Sequence, residues 1–159
     1  ADPDYWDIFE DNNYNLDDFA SYISSLIDEV IIDNDITHED YEIQSGEDFE
    51  FKCSEILSRL GWQTKLTKKS GDQGVDILAE KNNYSVAIQC KYYLSSVGNA
   101  AVQQVLAGKK YYNADYAAVV TNSTFTKSAI ELANASNVIL LTLNKLENLE
   151  EIIQDITHN

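Results

Sequence analysis

A chain of 159 residues that is 44% hydrophobic holds enough apolar material for one domain, with or without a small appendage, and too much for a disordered segment. It contains no apolar run of the roughly 20 residues that a membrane span needs and no signal-like opening, so a cytoplasmic protein with no membrane partner is expected. The net charge of −16 is unevenly laid out: residues 1–50 carry 17 of the 27 acids and no Lys or Arg, whereas residues 51–159 carry 10 acids against 11 bases. Total acidity opposes nucleic-acid binding; the charge balance beyond residue 50 does not.

From Leu16 to Ile31 the apolar residues fall on one helical face, with Asn15 as its cap. Residues 33–44 are polar and read as a loop. Ser45 is the expected N-cap of the next helix, whose inward face runs Phe49, Cys53, Ile56, Leu57 and Leu60, with Gly61 ending it. Strands are expected at Trp62–Leu66, Val75–Glu80 and Tyr84–Tyr92, the last two joined by a hairpin turn at Lys81-Asn82-Asn83. A helix over 97–112 follows, with Val97, Ala101, Val105 and Leu106 inward. Then come a buried strand Tyr116–Thr121, a helix Phe125–Ala135 capped by Thr124, a strand Val138–Leu143 and a closing helix Leu146–Ile156. The order implies a mixed sheet covered by helices. Cys53 and Cys90 are expected as buried free thiols, because two cysteines and two distant histidines make neither a disulfide framework nor a zinc site.

Chemistry gathers in Ser70-Gly71-Asp72-Gln73-Gly74-Val75-Asp76-Ile77 and Val86-Ala87-Ile88-Gln89-Cys90-Lys91. Alternation along a strand puts Val86, Ile88 and Cys90 on one face and Gln89 and Lys91 on the other; the hairpin then brings Asp76 alongside. A hard cation such as Mg²⁺ or Mn²⁺ takes oxygen ligands, which Asp76, the Gln89 amide and the Cys90 carbonyl supply. Glu50, on the flank of the preceding helix, could complete the shell, and Lys91 could orient or deprotonate a water or stabilise charge on a phosphate. Taken singly, Asp76 is an ordinary strand-end turn residue, Lys91 a solvated lysine, and Gly71 and Gly74 turn residues. Lys65, Lys68 and Lys69 precede the hairpin, where lysines could meet phosphates. The pairs Tyr92-Tyr93 and Tyr111-Tyr112 read as core or sheet aromatics rather than base-stacking platforms.

Phe49-Glu50, Leu60-Gly61-Trp62, Gly71-Asp72-Gln73-Gly74-Val75-Asp76 and Gln89-Cys90-Lys91 together resemble the catalytic domain of Mrr-type restriction endonucleases, a branch of the PD-(D/E)xK nucleases. Val119-Val120-Thr121-Asn122, Phe125-Thr126 and Ala129 extend the resemblance, which spans roughly residues 47–146. It implies a restriction-endonuclease-like α/β fold, a mixed β-sheet flanked by helices, preceded by the acidic helical segment. The resemblance also implies Asp76, Gln89 and Lys91 as the catalytic core, Glu50 as the helix-borne acid, and contacts to DNA that include Gln73 and Gln103. Gln89 stands where most of the wider superfamily has a carboxylate, a variant familiar in the Mrr-like branch.

The expected division is an acidic N-terminal segment over 1–44 and a nuclease domain over 45–159. The acidic segment reads as a solvated helical cap, as a mimic that shields the cleft from nucleic acid, or as a docking face for a protein partner or inhibitor. The leading expectation is a Mg²⁺-dependent DNA endonuclease, serving defence or delivered into a target cell as an interbacterial effector, with oligomerisation left open. The rival readings are a catalytically silent binding module and a nuclease acting on RNA.

Overall fold

The computed structural model describes residues 42–67 and 73–158; the helix expected over Leu16–Ile31 lies outside them. Ser45 opens helix α1 (Gly46–Arg59) as its sequence predicts: its backbone is extended and its Oγ accepts the Asp48 N–H at 3.1 Å. Asp48 in turn accepts the Gln44 N–H at 3.1 Å, so the two side chains satisfy orphan donors on either side of the helix start. Phe49, Cys53 and Leu57, spaced by four, form the buried stripe. Leu60, expected inward, is instead the exposed C-cap residue, and Gly61 reverses the chain at φ +86°.

Five strands follow in spatial order β1 (Gln63–Leu66), β2 (Ile77–Lys81), β3 (Tyr84–Lys91), β4 (Tyr116–Thr121) and β5 (Val138–Thr142). The first two junctions are antiparallel and the last two parallel, the mixed sheet that the element order implies. Lys81 pairs with Tyr84 across a two-residue turn, Asn82-Asn83, both at positive φ as such a tight hairpin requires. Parallel pairing needs crossovers, supplied by α2 (Asn99–Tyr112) and α3 (Lys127–Ser136). The chain closes with a 3₁₀ segment over Leu143–Asn148 and helix α4 (Leu149–His158).

Strand alternation sorts the core into two layers. Val86, Ile88, Cys90, Ala118 and Val120 face α1 and the closing helix, joining Phe49, Leu57, Leu146 and Ile153. Ala117 and Val119 face α2 and α3, joining Val102, Val105, Ala129 and Ala133. Residues 43–159 thereby form one compact unit, with a helical layer on each side of the sheet. No helix among the described residues is long and apolar enough to cross a membrane.

Of the boundaries that differ from expectation, three have evident local reasons. Val75 precedes β2 and is buried with Ala87 and Ala114 rather than in the ladder. The cap of α3 is Thr126, whose Oγ1 accepts the Ala129 N–H at 3.1 Å, while the Thr124 carbonyl accepts the Val97 N–H at 2.8 Å. The expected single helix from Leu146 begins as a 3₁₀ turn and becomes α-helical at Leu149.

Candidate active site

Everything that seats Asp76 begins one turn earlier. Gln73 and Gly74 take positive φ, +54° and +76°, and turn the chain toward α2. A Cβ on Gly74 would stand 2.6 Å from the Gln104 carbonyl oxygen, and one on Gly108 would stand 2.2 Å from Val75 Cγ2. The turn and the helix therefore meet closely at both glycines, Gly74 against the Gln104 backbone and Gly108 against the Val75 side chain and the Gln73 carbonyl. Thr67 holds the turn from the other side, donating its N–H to the Asp76 carbonyl at 2.9 Å and its hydroxyl to the Val75 carbonyl.

The β2–β3 ladder loses its register at this point. Ile77 pairs with Ile88, yet the Asp76 N–H also goes to the Ile88 carbonyl, at 2.8 Å, one residue out of step. The Cys90 N–H then finds no main-chain partner on β2 and donates to Asp76 Oδ2 at 2.6 Å. Gln89 Nε2 donates to the same oxygen at 2.6 Å and lies 3.4 Å from the Cys90 carbonyl oxygen. Asp76 and Gln89 are both buried, 8% and 6% exposed, so these charge-assisted bonds form in a setting where they are strong.

A cleft of about 390 Å³ opens over this cluster. Glu50 and Gly46 of α1 form one wall, Gln104 of α2 and Gly74 another, and Asp76, Gln89, Lys91 and Tyr93 lie between them. Lys91 Nζ sits 5.9 Å from the centre of the Tyr93 ring, within cation–π range. The four residues expected at the catalytic centre thus line one cleft. Cys90 points its thiol the other way, into the α1 layer. Its titration is pushed well above the ordinary cysteine range, first by a hydrogen bond with the Cys53 side chain, then by burial, then by the charges of Cys53, Asp76 and Glu50. Both thiols are free and buried, as expected.

The other candidates scatter. Lys65 is exposed on β1 opposite Leu78, outside the cleft lining, and Lys68 and Lys69 lie outside the described residues. Gln73 is exposed at the turn beside Gly74. Gln103 is exposed and does not line the cleft; its neighbour Gln104 does. Helical spacing held the clue, since Gln104 shares a stripe with Ala101 and Gly108, three before and four after, and a glycine inside a helix marks a close approach. Tyr92 is structural in part: its hydroxyl donates to the Ile43 carbonyl at 2.7 Å and its ring lies 5.7 Å from Phe49.

The donor set fits a hard divalent cation. Asp76 and Glu50 carboxylates, the Gln89 amide and the Cys90 carbonyl are oxygen donors. Among the described residues no three His, Cys, Asp or Glu side chains are disposed around a common metal position, so a cation here would rely on amide, carbonyl and water oxygens besides carboxylate. A half-turn of the Gln89 amide exchanges Nε2 for Oε1 and replaces the hydrogen bond to Asp76 with a second oxygen facing the same point.

Residues 42–149 match a protein-family model described as restriction endonuclease. Solved structures similar to the chain include a protein of unknown function, AF1548, with a TM-score of 0.51 at 19% identity over 59% of this chain and 57% of that one. They also include the MspJI restriction endonuclease in complex with a 27-mer oligonucleotide, with a TM-score of 0.47 at 24% identity over 62% of this chain and 26% of that one. A third is the DNA modification-dependent restriction endonuclease AspBHI, with a TM-score of 0.46 at 22% identity over 64% and 30%. The matched part of this chain thus spans just over half of the first structure and less than a third of the other two. No curated protein matches the chain.

Proposed function

The chain belongs to the Mrr-type restriction endonuclease family, and from that premise we propose that it is a divalent-metal-dependent endonuclease domain hydrolysing DNA phosphodiester bonds. The observation that carries this reading is the meeting of Asp76, Gln89, Lys91 and Glu50 in one cleft, drawn from α1, the pre-β2 turn and β3. A Mg²⁺ or Mn²⁺ ion bound there would polarise the phosphate and acidify a water. Asp76, already seated by the Cys90 N–H, presents its carboxylate without needing to reorganise. Gln89 contributes its amide oxygen after the half-turn. Lys91, two residues along the same strand face, orients the attacking water and stabilises the charge that grows on the phosphoryl oxygens. Gln104, on the opposite wall, is a hydrogen-bond partner for the DNA strand. Lys65, Lys68 and Lys69 are candidates for phosphate contacts in the flanking strand.

Restriction of foreign DNA in the cytoplasm is the role we infer, with delivery as an interbacterial effector the variant of it. The test is nicking of supercoiled plasmid with Mg²⁺, with EDTA as control, by the parent protein and by Asp76→Asn and Lys91→Ala. Metal-dependent nicking that either substitution lowers by at least about a hundredfold is expected. No nicking of DNA alongside cleavage of labelled RNA would move the substrate to RNA. Inactivity on both would make the domain a binding module, a reading that the net charge of −16 favours.

A further inference from the structure

Beyond β3 the chain runs Tyr92-Tyr93-Leu94-Ser95-Ser96-Val97; Tyr92 and Tyr93 line the cleft, and Leu94, next in the chain, is fully exposed at 106%. Tyr93, which lines the cleft, is itself 45% exposed. Isolated exposed leucines are ordinary. This one differs in its place and in how firmly its segment is held. Asn122 clamps Tyr93 on both sides, accepting its N–H at 2.7 Å and donating to its carbonyl at 3.0 Å. Ser96 and Thr124 hydroxyls meet at 2.7 Å. Val97 is buried and bridges to Phe125, giving its N–H to the Thr124 carbonyl at 2.8 Å and accepting the Thr126 N–H at 2.9 Å. The segment is pinned before and after Leu94, so the leucine cannot fold back onto the protein to hide.

Three residues of extended chain reach about 11 Å at most, so Leu94 lies within that distance of Lys91 at the backbone. Stacked bases rise about 3.4 Å each along a strand, so Leu94 falls within about three base steps of a phosphate held at Lys91. Water gains nothing from an uncovered leucine, and phosphates offer it no partner. The stacked faces of bases do, and apolar side chains of this kind open base steps in duplex DNA.

We propose, resting on the nuclease reading above, that Leu94 is a wedge that enters the base stack of duplex DNA beside the scissile phosphate and unstacks one step there. The work of the wedge is to bend or loosen the strand so that its backbone settles into the cleft between Glu50 and Gln104. Leu94 is a positioning residue in this scheme and touches no reacting atom.

The experiment uses the full chain carrying Lys91→Ala, which keeps the DNA uncut, and a short duplex with 2-aminopurine at alternate positions. Saturating protein should raise the 2-aminopurine fluorescence, which reports unstacking. Leu94→Ser should abolish the rise and weaken binding about threefold to tenfold, the range left when loss of one buried leucine is offset by bases that stay stacked. Leu94→Met should restore both, and the Leu94→Ser penalty should shrink on a duplex whose steps are already opened by mismatches. Equal melting temperatures for the Leu94 variants are expected, since nothing packs on the side chain. Binding without a fluorescence rise, or a Leu94→Ser protein that binds and unstacks like its parent, overturns the wedge alone. A parent that binds no DNA overturns the nuclease reading and the wedge with it.

Discussion

Asp76 Oδ2 accepts two buried hydrogen bonds, from the Cys90 N–H and from Gln89 Nε2, so its carboxylate stabilises the fold besides its proposed part in the cleft. Asp76→Ala leaves a buried main-chain N–H unsatisfied and should cost about 1–3 kcal/mol. Asp76→Asn retains an acceptor and should lose less, which urea unfolding of the two variants would measure. Gln89→Glu replaces a neutral ligand by a charged one and should bind Mn²⁺ at least as tightly as the parent. The same change sets two carboxylates at the present 2.6 Å contact, so with a chelator at neutral pH the variant should be less stable than the parent. Weaker Mn²⁺ binding in calorimetric titration would mean that Gln89 does not face the metal. Cys90 titrates above the ordinary range in the folded state, so the folded chain holds its proton where the unfolded chain releases it. Stability from this group is complete below the unfolded cysteine pKa and declines as pH rises through the folded value. Native protein should accordingly resist a thiol reagent at pH 8 and react fully in urea.

At the scale of elements, the site depends on the turn of residues 73–75 lying directly on α2. A methyl group at position 108 has no room, with Val75 Cγ2 at 2.2 Å and the Gln73 carbonyl at 2.7 Å from its ideal position. Gly108→Ala would favour helix propensity and still should destabilise the domain by about 1–3 kcal/mol through overpacking. Because the displaced turn carries Asp76, nicking should fall in conditions where the variant remains folded by circular dichroism. Unchanged nicking would show that the turn tolerates the shift. Much of this level was legible in the residues. Ser45 reads as a cap because its oxygen and the Asp48 N–H are three apart, and the hairpin reads from Lys81-Asn82-Asn83 between two strand-like runs, although residues 86–90 of its second strand are buried in an unbroken run, both faces of the sheet being covered. The contact between Gly74 and Gln104 was not legible, since 30 positions separate them and no local pattern encodes which helix stripe a turn will meet. The same limit applies to Gln103 and Gln104: the resemblance points to Gln103, and packing decides that Gln104 is the one lining the cleft. Thr124 and Thr126 fail to be distinguished for a like reason, as either hydroxyl could cap until the bridge of Val97 to Phe125 decides.

Across the whole chain the charge is divided, with 14 of the 27 acids in residues 1–44 and none of the bases. A field of that sign opposes a polyanion within the screening length, about 8 Å at physiological salt and longer below it. Neutralising Asp28, Glu29, Asp33 and Asp35 to Asn or Gln should tighten DNA binding, most at low ionic strength. Equal affinity of parent and variant in low salt would remove shielding as a role for the segment and leave a structural or docking one.

The seating of Asp76 on α2 also sets an order of events during synthesis. Glu50, Asp76, Gln89 and Lys91 have all left the ribosome once Lys91 emerges, yet the helix against which Gly74 must settle spans Asn99–Tyr112 and comes later. A nascent or truncated chain ending before that helix holds Glu50, Asp76, Gln89 and Lys91 without the surface that aligns them. If the proposed activity holds, cleaving power arrives only after that helix has been made and has packed on the turn.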